Sequence, residues 1–270
     1  MNTKKALTIA GSDSGGGAGI QADLKTFQEL GVYGMSAITA ITAQNTLGVS
    51  GVHPVPTSMI TSQLESIAAD LTPDAVKTGM LFSSEVIQAV AHCIDTYQWK
   101  QVVIDPVMIA KGGASLLQSD AIASMKKHLL PLATLITPNI PEAEVLTGMI
   151  IQSMEDRKTA ARILYELGAK HVVIKGGHND DFMAIDLYFD GEKFEEVSSP
   201  RLQTKNTHGT GCTFSAALTA ELAKGNTIND AVCIAKQFIQ AAITYDLQIG
   251  SGHGPTNHWA YKQLQGEAIR

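Results

Sequence analysis

Short, unbroken apolar runs alternate with amphipathic stretches along this chain, and that alternation leaves few folds open. Leu7-Thr8-Ile9-Ala10, Val102-Val103-Ile104, Leu135-Ile136-Thr137 and Val172-Val173-Ile174 are each too short for a helix. They read as strands covered on both faces, as in a parallel sheet. Ile20, Leu24 and Phe27, at i, i+4 and i+7, predict a helix over 18–30 that stops at Gly31. Ile60, Leu64, Ile67 and Leu71 repeat the spacing, and Ala160, Ile163, Leu164 and Leu167 do so before Gly168. Asp190-Gly191, between β-rich stretches at 185–189 and 193–197, predicts a hairpin turn. The segment 211–247 reads as two helices broken near Gly225-Asn226. With no internal repeat or linker, the expectation is a single α/β domain spanning residues 1–270, built on a mostly parallel, doubly wound sheet.

Composition narrows the class. At 270 residues the chain can bury a full core, and 44% hydrophobic against 17% charged residues excludes a disordered or coiled-coil protein. Acidic residues outnumber basic ones 26 to 20 and no basic run occurs, which argues against nucleic acid as a partner. No apolar stretch approaches membrane-spanning length, and the apolar run at 6–10 is too short for a signal peptide, so a cytoplasmic protein without membrane contact is expected. Cys93, Cys212 and Cys233 form no CxxC pair, which fits a reducing compartment and argues against a disulfide scaffold or a cysteine-built zinc site.

In open parallel sheets, ligands bind outside the carboxyl ends of the strands. Just past the expected strands stand Gly11-Ser12-Asp13, Asp105-Pro106, Pro138-Asn139 with Glu142, and Lys175-Gly176-Gly177. Turns alone favour Asp, Asn, Gly and Pro. Four such groups on one edge, however, supply the carboxylates, lysine and paired glycines that phosphates and a divalent metal require.

Two glycine-rich segments stand out. The stretch 11–19 is not a P-loop, because Gly17 occupies the lysine position, and Ile20 breaks the GxGxxG pattern. It is expected to approach a ligand closely and to offer free N–H groups at a helix N-terminus. Asn206-Thr207-His208-Gly209-Thr210-Gly211-Cys212-Thr213-Phe214 leads straight into an apolar helix, a junction whose N–H groups form an anion hole. Cys212 falls in the first turn, where the helix dipole is expected to favour its thiolate. Cys93 and Cys233 lie in apolar helical patterns and read as packing residues. His92, His128 and His171 read as surface or packing residues. His178 and His208 lie in candidate loops without a second ligand at zinc spacing, and no GxSxG elbow is present.

Further segments join these: Gly16 to Thr26, Thr42-Ala43-Gln44-Asn45-Thr46, Lys77-Thr78-Gly79-Met80-Leu81, Asp105-Pro106-Val107-Met108, Thr137 to Ala143, Lys175-Gly176-Gly177-His178 and Lys205 to Cys212. In this order they resemble the hydroxymethylpyrimidine kinase and pyridoxal kinase branch of the ribokinase superfamily. The resemblance implies a three-layer α/β/α, ribokinase-like fold and transfer of phosphate from ATP, with Mg²⁺, to a hydroxymethyl group on an aromatic vitamin ring. It points first to pyridoxal, pyridoxine and pyridoxamine, with hydroxymethylpyrimidine also used. The alternative is a dedicated hydroxymethylpyrimidine and hydroxymethylpyrimidine-phosphate kinase of thiamin biosynthesis. A homodimer is also implied.

Carried onto this chain, the resemblance makes Gly209, Thr210 and Gly211 the anion hole and Cys212 the proton acceptor. A thiolate is a modest base towards an alcohol, so late proton transfer in a loose transition state is expected. Asp105, Asn139 and Glu142 are implied to arrange magnesium, largely through water. Lys175, Gly176, Gly177, His178, Thr210, Thr213, Lys236 and Ile239 are implied to contact the nucleotide. Gly11, Asp23, Gln44, Met80, Val107 and Lys111 are implied to line the ring pocket. The segment 111–117 would be a lid, and here the chain departs from the AKSGDPLL-like pattern, with Ala114 in place of the acid. Ala110 stands where some pyridoxal-active relatives carry a cysteine. A silent regulator is disfavoured by the intact Asp105, Glu142, Lys175 and 209–212 set, and a cysteine hydrolase would need a partner for Cys212 and no ATP.

Overall fold

The computed structural model describes residues 3–108, 120–177 and 182–267. The chain runs β1 (Lys5–Asp13), α1 (Gly19–Glu29), β2 (Tyr33–Asn45), β3 (Gly48–Pro54), α2 (Thr57–Asp70), β4 (Ala75–Thr78), α3 (Ser84–Thr96) and β5 (Val102–Ile104). It continues with α4 (Ala121–Ser124), which widens into a π turn and then narrows to a 3₁₀ turn ending at Leu132, and then β6 (Leu135–Ile136), α5 (Ile140–Thr147), α6 (Met154–Glu166) and β7 (Val172–Ile174). The hairpin β8 (Met183–Phe189) and β9 (Phe194–Pro200) precedes α7 (Thr210–Lys224), α8 (Ile228–Thr244) and α9 (Ala260–Glu267). Among the described residues no helix is long and apolar enough to cross a membrane.

One sheet carries the order β3-β2-β1-β4-β5-β6-β7-β8-β9. The inner strands from β2 to β7 pair in parallel, and β3, β8 and β9 add antiparallel edges. Strand alternation sorts side chains into two cores. Leu7, Ile9, Val102, Ile104, Val172 and Ile174 join the core under α2, α3, α5 and α6. Ala6, Val103, Leu135 and Val173 face α1, α7 and α8 through Phe27, Phe214 and Phe238. Both faces are therefore covered, as the continuous apolar runs imply, giving the expected three-layer α/β/α sandwich.

The order of the strands reverses between β1 and β4, which places a crevice at their carboxyl ends. Gly11, Gly79, Asp105, Asn139 and Lys175 lie at this edge of the sheet, and Asn139 and Lys175 bridge in parallel beyond their strands. The Asp190-Gly191 turn forms as the sequence predicts. Asp190 accepts from the N–H groups of Glu192 (2.7 Å) and Lys193 (2.6 Å), and Gly191 adopts φ +100° against the Tyr165 ring. Strands β2 and β3 lack an apolar run because much of their surface is exposed, and β4 is interrupted by Lys77.

Candidate active site

Helix α7 begins where two glycine-bearing loops meet. Gly209, its N-cap, has φ +81°, and a side chain there would overlap the Gly17 carbonyl. The first intrahelical bond runs from the Thr213 N–H to the Gly209 carbonyl (2.8 Å), so the Gly211 and Cys212 N–H groups stand ahead of the helical ladder. A Cβ built on Gly211 lies 3.4 Å from Lys175 Nζ and 3.8 Å from Asp105 Oδ2. The helix N-terminus, a cation and a carboxylate thus share one spot on the sheet edge.

The charges there are interlocked. Lys175 Nζ donates to Asp105 Oδ1 (3.0 Å) and Ser215 Oγ to Asp105 Oδ2 (3.0 Å). Burial works against the Asp105 charge, but Lys175, Lys77 and the Ser215 hydroxyl hold its carboxyl below the usual range. Lys175 opposes its own burial in the same way, and the Asp105 and Glu142 carboxylates raise its pKa. Glu142 is pushed up to about 7 by burial and the nearby Asp105 charge, against the pull of Lys175. Asn139 caps α5 through its side chain, accepting from the Glu142 N–H (2.8 Å), and the Glu142 carboxylate accepts from the Asn139 N–H (2.9 Å). This reciprocal box pins both residues at the end of β6.

Cys212 retains some accessible surface and accepts a backbone N–H from Gly19. The expected thiolate is corrected here. Burial and the carboxylates of Asp23 and Asp105 push the thiol up to about 12, outweighing Lys77 and the Gly19 N–H. The helix N-terminus does not overcome that desolvation.

The glycine-rich segment also differs from expectation. Its N–H groups are not left for a ligand: Asp13 accepts from Gly15 (2.8 Å), Gly17 (3.0 Å) and Ala18 (2.8 Å). Its glycines are needed for close packing, since a side chain at Gly19 would overlap the Gly11 carbonyl and one at Gly17 would press on the His208 ring.

Of the residues implied to line the ring pocket, Gly11, Met80 and Val107 come together. Met80 and Val107 pack with Ala40, and a Cβ at Gly11 would lie 2.6 Å from Met80 Cε. Gln44 lies beside His208, with Nε2 to Nε2 at 3.4 Å. Asp23 departs from the implied lining role: it has no exposed surface, is paired with Lys77 (2.9 Å) and accepts from Thr8 Oγ1 (2.6 Å). Lys111, the 111–117 lid, Ala110 and His178 lie outside the described residues.

On the nucleotide side, Gly176 packs so closely on the Ile185 carbonyl that it excludes any side chain. Its N–H donates to Asp186 Oδ1 (2.8 Å), and Lys236 Nζ donates to Asp186 Oδ2 (2.7 Å) and the Ala184 carbonyl (2.9 Å). The Lys236 ammonium therefore acts on the 175–177 loop through Asp186. Ile239 belongs to the core beneath α8, and Thr213 Oγ1 is shared with His258 (3.1 Å) and Thr256 (3.3 Å). Lys77, Ser215, Asp186 and His208 were not assigned roles from sequence. A lysine inside a four-residue strand was the one signal, at Lys77, that could have found such a residue.

The phosphomethylpyrimidine kinase family model matches residues 13–257. The hydroxymethylpyrimidine/phosphomethylpyrimidine kinase of Bacillus subtilis (strain 168) is 59% identical over 97% of this chain and 97% of that protein. An ADP complex of Bacillus subtilis pyridoxal kinase superposes with a TM-score of 0.90 at 45% identity, covering 97% of this chain and 100% of the other. Staphylococcus aureus pyridoxal kinase, bound to AMP-PCP and pyridoxal, gives a TM-score of 0.91 at 43% identity over 98% of this chain and 96% of that one. With its ribokinase-like fold and a family match over most of its length, the chain belongs to the phosphomethylpyrimidine kinase family.

Proposed function

We propose that this kinase transfers the γ-phosphoryl group of ATP to the hydroxymethyl group of hydroxymethylpyrimidine, with the B6 vitamers as further substrates. The convergence of Gly211, Lys175 and Asp105 carries this reading. N–H groups at the start of α7 and the Lys175 ammonium would stabilise charge on the moving phosphoryl group, where such preorganised donors are most effective. Placing the pyrimidine first reverses the order expected from sequence. It is supported by the 59% identity to a hydroxymethylpyrimidine/phosphomethylpyrimidine kinase. The pyridoxal-bound neighbour supports retaining the B6 vitamers as substrates.

The donor set fits magnesium. Asp105 and Glu142 are hard oxygen ligands, and the Asp105 charge helps raise the Glu142 pKa, a repulsion that a divalent cation would relieve. Magnesium keeps several waters and takes few direct carboxylates, so the two carboxylates of Asp105 and Glu142 would suffice to arrange it. Magnesium would offset charge on the β- and γ-phosphates. Cys212 is a thiol at rest, so it would take the hydroxymethyl proton on sulfur only as its own S–H proton passes to an oxygen of the transferred phosphoryl group, late in transfer, as the alcohol oxygen bonds to phosphorus.

The test is ADP release with MgATP and, in parallel, hydroxymethylpyrimidine, its monophosphate, pyridoxal and pyridoxine. Turnover of hydroxymethylpyrimidine at the highest kcat/KM is expected. Turnover of pyridoxal alone would restore the B6 reading, and ADP release without any ring substrate would remove both.

A further inference from the structure

His208 carries no role in phosphoryl transfer as described above, yet it is buried (8% exposed) between the glycine loop and Gln44. Its Nε2 lies 2.8 Å from Asp13 Oδ2. The Asp13 carboxyl is held below its ordinary range: burial raises it, but the His208 contact and the Ala18 and Gly15 N–H groups outweigh that cost. An ionised carboxylate only accepts, so His208 Nε2 carries the hydrogen.

That hydrogen restricts Gln44. With the amide as placed, its nitrogen faces His208 Nε2 at 3.4 Å, two donors against each other. Its oxygen faces Thr42 Oγ1 at 3.2 Å, but the Thr42 hydroxyl has one hydrogen, and the Ser12 carbonyl takes it at 2.7 Å. Both contacts are mismatched, and a half-turn of the amide relieves both. The nitrogen then donates to Thr42, and the oxygen faces the His208 N–H, whose one hydrogen Asp13 takes at 2.8 Å and the amide oxygen shares as the long arm of a forked bond. Ser14 holds the Gln44 backbone from the other side, donating to its carbonyl (2.8 Å) and accepting from its N–H (2.8 Å).

We infer that His208, oriented by Asp13, is a positioning residue that fixes the Gln44 amide with its oxygen towards His208 and its nitrogen towards Thr42. One N–H and one oxygen lone pair of that amide remain to pair with the ring. The consequence for catalysis rests on the proposed function, in which Gln44 meets the ring substrate. The amide orientation itself does not. An amide free to turn would offer donor and acceptor in either order and discriminate rings poorly, whereas a fixed one accepts a single arrangement.

Two measurements test this. In ¹⁵N-labelled protein, the Gln44 side-chain NH₂ signals, assigned by their loss in Gln44→Ala, should be protected from exchange and shifted by Thr42→Val. His208→Phe should remove that protection, and His208→Gln, which keeps an N–H donor, should restore it. Unchanged Gln44 signals in both His208→Phe and Thr42→Val would overturn the inference whatever the enzyme's substrate. In steady-state kinetics, His208→Phe should raise the KM for the ring substrate about tenfold and change the KM for ATP and kcat less than about twofold. The same substitution in a Gln44→Ala background should add nothing. An equal loss in that background, or a parallel loss in kcat and ATP affinity, would make His208 only a brace for the anion-hole loop. Should His208→Phe fail to fold, Thr42→Val and its Gln44→Ala double variant decide by the same criteria. Failure of every ring substrate would overturn the proposed function and leave the NMR result to judge the amide.

Discussion

Lys236 Nζ and Asp186 Oδ2 lie 2.7 Å apart, and the other Asp186 oxygen accepts the Gly176 N–H at 2.8 Å. A cation on α8 thus steadies the backbone of the 175–177 loop without facing that loop itself. Arg157 adds a second hold, donating to the Ile185 carbonyl at 3.0 Å. Asp186→Asn leaves the lysine without its charge partner and weakens the clamp on Gly176. It should raise the KM for ATP about fivefold while leaving the KM for the ring substrate nearly unchanged. Lys236→Met should do the same, and the double variant should cost little more than either single change because both residues act through one bond network. Comparing the two KM values across the three variants checks this.

Lys77 and Asp23 form an ion pair with no exposed side-chain surface, and Asp23 Oδ1 has no hydrogen-bond partner among the described residues. Burial raises the Asp23 pKa against the pull of Lys77, and Asp23 in turn raises that of Lys77. Lys77→Met would leave the carboxylate buried without its cation, a change that costs about 3 kcal/mol or more of stability. Asp23→Asn in the same chain should recover much of that loss, because no uncompensated charge then remains. Urea unfolding of the two single variants and the double variant measures the recovery. A double variant as unstable as the sum of the singles would mean that the two residues do not act as a pair.

The sheet was legible because its inner strands are covered on both faces, so Val102-Val103-Ile104 and Val172-Val173-Ile174 read as apolar runs without help from their surroundings. The edge positions of Asp105, Asn139 and Lys175 followed from that parallel order. Strands β2 and β3 were not legible, since partly exposed positions mixing Ala, Thr, Ser and Gly break up any apolar run. The polar couplings were hidden for another reason. Asp13 and His208 are 195 positions apart and Lys175 and Asp105 are 70 apart, so their pairing is set by the tertiary fold. The state of Cys212 was misread because local helix position suggests a thiolate, whereas desolvation and two carboxylates, visible only in the folded chain, decide it.

That state has a chemical readout. A thiol pushed up to about 12 is ionised in about one molecule in ten thousand near pH 8, so Cys212 should alkylate far more slowly than the exposed Cys233. Mass spectrometry after timed iodoacetamide treatment separates the two sites. If Cys212 reacts first, the thiolate reading returns. Cys212→Ala should lower turnover about a hundredfold through loss of the proton relay, with ATP affinity changed by less than about twofold. Near-normal turnover would take Cys212 out of the mechanism.

His258 ties the start of α7 to acid stability. Its Nε2 meets Thr213 Oγ1 at 3.1 Å, and both residues are buried. Burial, with the Lys25 charge nearby, lowers its pKa from 6.5 to about 4. Between those values the unfolded chain binds a proton that the folded chain rejects, so acid favours unfolding. The contribution is fully present above the unfolded value and is lost as pH falls towards the folded one. From about pH 7.5 to about pH 5.5 this single group should lower stability by about 1 kcal/mol. Urea midpoints at the two pH values measure the drop. His258→Gln, which keeps a hydrogen-bonding group but does not titrate, should flatten that part of the profile while lowering stability at neutral pH. A slope unchanged in the variant would assign the acid sensitivity to another group that titrates in this window, such as His171, whose pKa burial also lowers.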